Sequence, residues 1–490
     1  MYKKVSVTIF MDSVKSNPQA QQTARVPVTH PMLAMMGMLI GGFVGMFSET
    51  SLNIALPQLM VQLHVTTATV QWLVTGYMLM IGIVLPLSSL LSKWFTTRQI
   101  ILFALIDFAV GAAISASAPG FGVLLLGRMI QGIATGLILP LMFTVAMQIF
   151  PPYKLGAAMG MVGLVIMFAP AVGPTLAGAV LGLASWRWIF WIFIPFLAIA
   201  FIFAVTSLEN IAPVTRPKID FLSILLSMIG FGSLVVGVSL ASAQGWGSSA
   251  VIGSLILGLV VLAWYTHRQL TMAHPILNLK AFTIPGFRIG ASLVMINFGI
   301  ILSAMYLLPM YIQKGLLIPV ALTGVIMLPG GLMNAIISAI SGRLYDRIGA
   351  RKPALLGFFI SMVGALMLAL TTTHSATWYV ILAHVILMIG APLAMSPSQT
   401  HGLNALTGPL AADGSTIMNT LQQVVGAIST AIATSLLGIG QAAYYANGLH
   451  HAAGAFVNGA HYGFYFTLVM AFAGLLLATR LPKQRVTKTE

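Results

Sequence analysis

The sequence predicts an all-α polytopic membrane protein with 14 transmembrane helices, arranged as two six-helix bundles with two further helices inserted between them. Composition is the first observation behind this prediction: 58% of the 490 residues are hydrophobic and only 6% are charged. Soluble globular domains carry about a quarter charged residues, so this composition argues against a water-soluble fold. The mean hydropathy is +0.98, and apolar stretches long enough to cross a bilayer recur along the whole chain.

Each predicted helix is an apolar stretch of about 20 residues or more, the length that crosses the hydrocarbon core of a bilayer. Turn residues and charges separate the stretches. The apolar run near Val5–Met11 is too short for a secretory signal sequence and has no convincing cleavage site, so we expect the N-terminus to be kept. The predicted spans are 32–56, 68–92, 98–117, 121–148, 155–183, 187–206, 221–241, 250–268, 286–312, 320–342, 353–371, 377–398, 410–440 and 461–480.

Lysine and arginine residues predict the orientation, because cytoplasmic loops of membrane proteins carry an excess of both. With the N-terminus placed in the cytoplasm, 20 of the 23 basic residues fall on the cytoplasmic side. Arg187 and Lys314 fall outside, and Arg128 lies within a helix. The bias predicts that both termini are cytoplasmic, and it explains the formal net charge of +15 without a nucleic-acid partner.

An internal repeat divides the chain into two halves. The loop after the second span, SSLLSKWFTTRQ at 88–99, is similar to the loop after the tenth, SGRLYDRIGARK at 341–352. Spans 1–6 therefore echo spans 9–14, as repeats do in many transporters. The predicted divisions are a cytoplasmic tail at 1–31, an N-terminal bundle at 32–206, two inserted helices with their loops at 207–285, a C-terminal bundle at 286–480 and a cytoplasmic tail at 481–490.

Residue types and motifs that the sequence lacks exclude several kinds of chemistry. There is no cysteine, so neither a disulfide framework nor a thiolate metal site is available. No Gly-Lys dipeptide occurs, which excludes the phosphate-binding loop of an ATP-driven pump, and neither HExxH nor GxSxG occurs. No loop is long enough for a catalytic domain, so we expect neither an enzyme nor a metal or organic cofactor. The repeat architecture favours a carrier over a channel.

Five local motifs resemble the signatures of one transporter family. They are Gly342–Lys352, Arg128–Gly132, Gly173–Gly178, Ser185–Phe190 with Pro195, and His274–Leu279 followed by Phe282. The first resembles the cytoplasmic loop signature of the major facilitator superfamily, the second its fourth-helix motif, and the third the fifth-helix motif associated with antiporters. The other two resemble segments that open the sixth span and precede the ninth span in fourteen-span drug:proton antiporters.

The chain as a whole resembles the fourteen-span drug:proton antiporter branch of that superfamily, which includes quaternary-ammonium and lincomycin-resistance exporters. The resemblance implies the major facilitator fold and a proton-coupled multidrug exporter that moves lipophilic, often cationic, drugs or dyes by alternating access. It implies that protons are the coupling ion and that the protein lies in the bacterial cell membrane. The implied partners are small-molecule drugs and membrane lipid; neither nucleic acid nor an obligate protein partner is implied. An exporter of one specific metabolite or lipid is the alternative, since fold does not fix substrate.

Two positions depart from the pattern of that family. The first-helix pattern has Asp two residues before a Thr, whereas here that slot holds Ser48 and the acid is Glu49. The first copy of the loop signature has Lys93 where the family usually has Asp. The coupling acid is therefore not given by the motif alone.

Ionisable residues inside membrane spans are costly and are candidates for function. Three lie well inside the predicted spans, Glu49, Asp107 and Arg128. Glycines every four residues on the first and fourth helices would let Glu49 and Arg128 approach, each roughly 12 Å below the outer boundary at about 1.5 Å rise per residue. Burial favours a neutral carboxyl and a nearby arginine favours a charged one, so Glu49 is predicted to be the proton switch with Arg128 as its partner. A permanent ion pair that fixes packing is the alternative, and Asp107 is either a second proton or cation site or a packing acid.

A second group of residues is predicted to control conformational change. Asp346, among arginines in the loop after the tenth span, would form a cytoplasmic latch, with solvated loop charge as the alternative. Prolines and glycines of the fifth helix suit a kinked pivot between bundles, with ordinary membrane tolerance of both residues as the alternative. Asp413 is predicted to be a helix cap or a gate contact. The gating candidates are Gly342, Asp346, Arg347, Gly349, Arg351, Pro170, Gly173, Pro174, Gly178 and Asp413.

Aromatic and amide side chains on helices expected to face a central cavity are the substrate-binding candidates. Aromatic faces suit organic cations and flexible methionines suit a promiscuous surface, although most of the 29 Met and 26 Phe residues are expected to serve packing. His384 lies within a span and is expected to hydrogen-bond as an amide does rather than to bind a metal. The candidates are Asn53, Gln58, Trp72, Tyr77, Asn297, Tyr306, Asn334, Asn419 and Gln422.

Overall fold

The computed structural model describes residues 31–150, 152–208, 210, 220–272, 275, 277–406 and 409–482. Within these residues the chain forms long helices joined mostly by short turns. The first half contains α1 Pro31–Gln62, α2 Trp72–Trp94, α3 Thr97–Ala116, α4 Phe121–Ile149, α5 Pro152–Leu183 and α6 Phe193–Ser207. The middle contains α7 Phe221–Gln244 and α8 Ser249–Thr271. The second half contains α9 Pro285–Met310, α10 Val320–Ile348, α11 Arg351–Ala369, α12 Thr377–Asn404, α13 Pro409–Ala446 and α14 Ala452–Ala478.

These helices are long and apolar enough to cross a membrane. Thirteen of them meet this description by length and composition alone. The fourteenth is α5, whose apolar stretch runs over Phe168–Leu183. Each predicted span overlaps one of these 14 long helices, so the prediction of an all-α protein with 14 spans is confirmed.

The predicted helix ends differ from the observed ones. α1 continues through Pro57 to Gln62 instead of ending at 56, because a proline removes one backbone hydrogen bond without ending a helix that its neighbours support. α14 begins at Ala452 instead of 461, where the His451 side chain accepts a hydrogen bond from the Gly454 backbone N–H. Polar residues at helix ends lower the mean hydropathy of the segment, so the first and last turns of a helix are missed when spans are predicted from hydropathy.

The two halves of the chain pair their helices in the same way. In the first half, α4 packs against α1, α2 and α3, and α6 packs against α1 and α3. In the second half, α12 packs against α9, α10 and α11, and α14 packs against α9 and α11. Each of these contacts in one bundle therefore has its counterpart in the other, which is the arrangement expected of an internal repeat.

Glycines set the closest approach of helices within the first bundle. A Cβ at Gly45 of α1 would lie 2.8 Å from Thr135 Oγ1 of α4, so these two helices do approach closely. A Cβ at Gly132 of α4 would instead lie 2.7 Å from the Tyr77 carbonyl oxygen of α2. The glycines of α1 therefore face α4, whereas α4 turns its own glycines toward α2.

The helix ends define two faces of the membrane domain. One face, which we term the basic side, carries most of the described cations, namely Lys93, Arg98, Arg268, Lys280, Arg288, Arg343, Arg347, Arg351, Lys352 and Arg480. Arg187 and Lys314 lie at the other face, which we term the opposite side.

The two bundles touch at the opposite side. A Cβ at Gly178 of α5 would lie 3.1 Å from the Gly324 Cα of α10, so the two backbones are in close contact. Thr175 Oγ1 donates to the Gly324 carbonyl oxygen at 3.0 Å, and Gln313 Nε2 donates to the Ile54 carbonyl oxygen at 2.9 Å. These contacts close the opposite side.

α7 and α8 form a hairpin on the outside of the bundles. α7 packs against α13 of the second bundle and α2 of the first, and the Leu234 side chain fills the space over Gly258 of α8. At the basic side, Arg268 and Asp220 form a bidentate ion pair with 2.9 Å from Nη2 to Oδ1 and 3.1 Å from Nε to Oδ2. The hydrogen bonds from Arg268 lower the pKa of the Asp220 carboxyl below its usual value.

Candidate functional site

A central cavity of about 120 Å³ lies between the two bundles. Four helices of each bundle line it, α1, α2, α4 and α5 from the first and α9, α10, α12 and α13 from the second. Its polar lining residues are Glu49, Thr50, Asn334, His384, Asn419, Gln422 and Gln423. The equal share of the two bundles means that any rocking of one bundle against the other changes the shape of this space.

Most of the cavity wall is apolar and deformable. It includes two phenylalanines, several leucines and isoleucines, and the methionines Met46, Met305, Met327, Met388 and Met395. Methionine side chains adapt to ligands of different shape, and an apolar wall with few polar groups is typical of a small-molecule site. Among the described residues that line the cavity, Glu49 is the only charged one.

Glu49 lies near the middle of α1, with 1% of its surface exposed. Its Oε2 atom has no hydrogen-bond partner among the described residues. A buried carboxylate without partners is unstable, so this group needs either a proton or a cation from the cavity.

Arg128 of α4 is fully buried and is held by several groups at once. Its Nη1 donates to Ser48 Oγ at 2.6 Å and to Gln131 Oε1 at 3.1 Å, and its Nε donates to the Leu73 carbonyl oxygen at 3.1 Å. The guanidinium carbon also lies 4.0 Å from the centre of the Tyr77 ring, a cation–π contact. These contacts fix the arginine between α1, α2 and α4.

Glu49 and Arg128 do not form an ion pair in this structure. Both residues are described, and no nitrogen of Arg128 lies within 4.0 Å of a Glu49 oxygen. The two interact electrostatically at longer range, while Ser48 receives the hydrogen bond. Successive helix residues differ by about 100° in direction, so Ser48 faces α4 while Glu49 faces the cavity. The alternative of a permanent Glu49–Arg128 pair is therefore not the arrangement present here.

The two prolines of α5 create a link to α1. In a regular helix the Pro170 carbonyl would accept from the N–H four residues later, but Pro174 has no N–H. Thr50 Oγ1 donates to this freed carbonyl at 3.1 Å, directly beside Glu49. Pro170 and Pro174 also line the cavity, while Gly173 packs against Thr50 and Gly178 packs against α10. The predicted pivot role of these residues stays a prediction, but their position couples the acid-bearing helix to the α5–α10 contact.

The structure separates the predicted substrate-binding residues into three groups. Asn334, Asn419 and Gln422 line the central cavity. Gln58 lies instead in a crevice at the opposite side, together with Gln313 and Lys314. The remaining candidates are not among the lining residues of the cavity, namely Asn53, Trp72, Tyr77, Asn297 and Tyr306.

Two of the candidates outside the cavity hold helices together. The Tyr77 hydroxyl donates to the Gly45 carbonyl oxygen at 2.8 Å and lies 2.7 Å from Thr135 Oγ1. Asn297 Nδ2 donates to the Ala391 carbonyl oxygen at 2.9 Å. Their polar groups thus serve contacts between helices rather than a ligand in this state.

Asp107 lies apart from the cavity. It is half-buried on α3, and its Oδ2 has no hydrogen-bond partner among the described residues. It is not one of the residues that line the central cavity. A role for Asp107 as a second proton site stays a prediction, without direct access from the drug cavity in this state.

The predicted gate residues at the basic side are described in part. α10 ends at Ile348, and Gly349 follows with φ of 74° and donates its N–H to the Tyr345 carbonyl oxygen at 2.8 Å. Gly342 lies on the last turns of α10, Arg347 is exposed there, and Arg351 begins α11. The Asp346 side chain lies outside the described residues, so the latch stays a prediction.

Asp413 is not a helix cap, because α13 begins at Pro409, a full turn earlier. It interacts electrostatically with Lys93 at the end of α2. A role for Asp413 as a gate contact stays a prediction.

Sequence reasoning missed several cavity residues. Thr50, Gln423 and the lining methionines were not among its candidates, and His384 was expected only to hydrogen-bond like an amide. His384 lines the cavity and its Nδ1 has no hydrogen-bond partner among the described residues. Thr50 and Gln423 each directly follow a candidate residue in the sequence, and this adjacency is the signal that could have identified them. Within the described part of the chain, no group of three or more His, Asp or Glu side chains could hold a metal ion.

Sequence comparison gives a family and several relatives. Residues 38–430 match the family model described as Major Facilitator Superfamily. The lincomycin resistance protein LmrB of Bacillus subtilis is 47% identical over 462 residues, which cover 93% of this chain and 96% of the relative. A multidrug resistance protein B homolog of Mycobacterium tuberculosis is 29% identical over 377 residues, covering 76% of this chain and 70% of the relative.

Solved structures of transporters share the fold. A peptide transporter POT in complex with sulfate aligns with a TM-score of 0.66 at 16% identity, over 94% of this chain and 98% of that one. The human organic anion transporter MFSD10 aligns with a TM-score of 0.60 at 15% identity, over 91% of this chain and 99% of that one. At such low identity the likeness shows the fold alone. Together with the relatives, it confirms the family resemblance predicted from the motifs.

The bond between Ser48 and Arg128 predicts a specific loss of stability. Ser48→Ala should lower the free energy of unfolding by about 1.5–3 kcal/mol, because a hydrogen bond to a buried charged group is lost. Denaturant unfolding of the detergent-solubilised protein, followed by tryptophan fluorescence, measures this change. Ser51→Ala is the matched control, since Ser51 is also buried on α1 and its Oγ has no hydrogen-bond partner among the described residues. Equal effects of the two substitutions would contradict the assignment.

Proposed function

This chain belongs to the Major Facilitator Superfamily, and we propose that it is a proton-coupled multidrug exporter that moves lipophilic, often cationic, drugs by alternating access. Relatives named for lincomycin resistance and multidrug resistance support an export function. The mainly apolar wall of the central cavity, with a few polar groups set in it, supports a small-molecule site.

The observation that carries the proposal is the lone carboxyl of Glu49 on the cavity wall. A carboxylate in apolar surroundings is neutralised either by a proton or by an organic cation, and one group does not hold both. Binding of a cationic drug therefore releases the proton, and binding of a proton releases the drug. Mutual exclusion of the proton and the drug at one site is the minimum requirement for antiport.

Ser48 and Arg128 keep this exchange reversible. If Arg128 paired directly with Glu49, the carboxylate would be satisfied and would need neither proton nor drug. Because Ser48 takes the hydrogen bond, Glu49 faces the cavity while the arginine charge still acts on it from beyond the serine. Arg128 is thus proposed to help the proton leave without replacing it.

The remaining polar groups of the wall are proposed to orient the substrate. Asn334 lies on α10, and Asn419 and Gln422 lie on α13, so the amides come from the second bundle while the acid comes from the first. A cationic drug bound between them would contact both bundles at once. Lincomycin carries a basic amine. Because a relative is named for lincomycin resistance, it is the first drug to test.

The basic side is proposed to face the cytoplasm, because Lys and Arg are enriched at cytoplasmic membrane ends. In that orientation the closed α5–α10 contact lies at the outer surface, and the cavity is in its inward-facing state. Drug then enters from the cytoplasm or inner leaflet and leaves when the outer contact opens. A bacterial cell membrane with both termini in the cytoplasm is part of this proposal.

Replacing the acid should uncouple transport. In proteoliposomes with an imposed pH gradient, Glu49→Gln should reduce gradient-driven ethidium movement to the level of protein-free liposomes, because glutamine neither binds nor releases a proton. The measurement is dye fluorescence with the gradient in each direction. Asp107→Asn is the matched control, an acid within a span but outside the cavity, and it should keep gradient-driven movement.

Two outcomes would count against this assignment. Gradient-driven movement kept by Glu49→Gln but lost by Asp107→Asn would transfer the coupling role to Asp107. No dye or lincomycin movement by the unsubstituted protein under any gradient would replace the multidrug proposal with export of one specific metabolite or lipid.

Separating α5 from α10 should open the outer side. A leucine at Gly178 would meet the Gly324 backbone, where even a Cβ lies within 3.1 Å, so Gly178→Leu should disfavour the closed contact. The chain has no cysteine, so Met327→Cys in the cavity wall gives a single labelling site. A membrane-impermeant maleimide added outside cells should label that site several-fold faster in Gly178→Leu than in the Gly178 background.

Gly253→Leu is the control for this experiment, because a Cβ at Gly253 on α8 would meet nothing within 4 Å. It should leave the labelling rate unchanged. Labelling that is equally slow with Gly178→Leu would show that the α5–α10 contact is not the outer gate.

A further inference from the structure

A second large cavity lies between the inserted hairpin and the second bundle. It has a volume of about 490 Å³ and is bounded by α7, α8, the 3₁₀ turn Leu279–Thr283, α9 and α13. We term it the hairpin groove. Its wall is mainly apolar, with Phe231, Leu262 and Leu421 among the lining residues, and the 40% exposed Leu270 lies at its surface.

The hairpin groove extends through one half of the membrane. Arg288, at the first turn of α9, marks its end at the basic side. Leu262 lies nine residues before the end of α8 and Phe231 ten residues after the start of α7, which places both about 14 Å deeper at about 1.5 Å per residue. The hydrocarbon core is about 30 Å thick, so the groove runs from headgroup level to the middle of the bilayer.

The charge of the hairpin groove is positive at its basic end. Arg288 is exposed there, and its side chain has no hydrogen bond or ion pair among the described residues. Lys280 is exposed on the adjoining 3₁₀ turn. No acid lines the groove among the described residues.

Neither of the acids near this end forms an ion pair with Arg288 or Lys280 in the described part of the chain. Asp220 of α7 is held by the bidentate pair with Arg268. Asp413 of α13, one turn before the lining residue Ile417, interacts with Lys93. The two cations at the end of the groove therefore keep their charge available for an anion.

We propose that the hairpin groove binds an anionic phospholipid of the leaflet at the basic side, with an acyl chain along the apolar wall and the phosphate at Arg288 and Lys280. The length of the groove matches one leaflet, and an acyl chain supplies the apolar surface that fills it. Cations near a membrane surface attract anionic headgroups. A cationic drug is disfavoured here, because Arg288 repels the charge that Glu49 attracts in the central cavity.

Native mass spectrometry of the full-length protein tests this site without any transport assay. The protein is titrated with phosphatidylglycerol and, separately, with phosphatidylcholine of the same acyl chains. Arg288→Gln should weaken phosphatidylglycerol binding about fivefold, the contribution of one cation at a membrane surface. It should weaken phosphatidylcholine binding less, because the choline cation offsets the phosphate charge. Thr266 is an exposed residue that lines the groove, so Thr266→Trp places a large ring there. This substitution should weaken binding of both lipids.

Arg343→Gln is the matched control, because Arg343 is also an exposed arginine at the basic side but does not line the groove. It should bind phosphatidylglycerol as the unsubstituted protein does. Equal loss in Arg343→Gln and Arg288→Gln would overturn the proposal in favour of general surface charge. Unchanged binding in Thr266→Trp, or in Arg288→Gln, would overturn it because the lipid would then lie elsewhere.

Discussion

The hydrogen bond from Arg128 to Ser48 is the interaction on which the central cavity depends. A fully buried guanidinium needs hydrogen-bond partners, and here Ser48, Gln131 and the Leu73 carbonyl accept from Nη1 and Nε, while Nη2 has no partner among the described residues. Because the serine takes the place beside the arginine, the next residue, Glu49, is turned by about 100° toward the cavity. An acid at position 48 would instead pair with the arginine, and the cavity wall would have no charge.

The two large cavities of the molecule carry opposite charge, and this divides the ligands between them. The central cavity has an acid on a methionine-rich wall and is shared by both bundles, so its ligand is exposed to the motion of one bundle against the other. The hairpin groove has a cation at its end and borders the inserted helices and the second bundle. Under the two proposals, a lipophilic cation prefers the central cavity, while an anionic lipid prefers the hairpin groove.

The helices could be predicted from the sequence because apolar length alone identifies a membrane span, and the three ionisable residues within the spans identified the candidate acid. The direction of each polar side chain could not be predicted. Tyr77 and Asn297 stand on the expected helices, yet both hydrogen-bond to neighbouring helices. When a helix is apolar on every side, its sequence has no periodic pattern that shows which face contacts lipid, which packs on a neighbouring helix and which lines the cavity. The substitution of Ser for the usual acid was visible in the sequence, but its partner became clear only when α1 and α4 were placed together.

Competition between a proton and a drug for Glu49 is the central claim, and proton release on drug binding tests it most directly. The purified protein in weakly buffered detergent is mixed with tetraphenylphosphonium at a pH where the carboxyl is protonated, and the pH is recorded. We expect one proton to be released for each cation bound by the unsubstituted protein, and none to be released by Glu49→Gln. Binding of the cation without proton release by the unsubstituted protein, or equal release by Glu49→Gln, would contradict it.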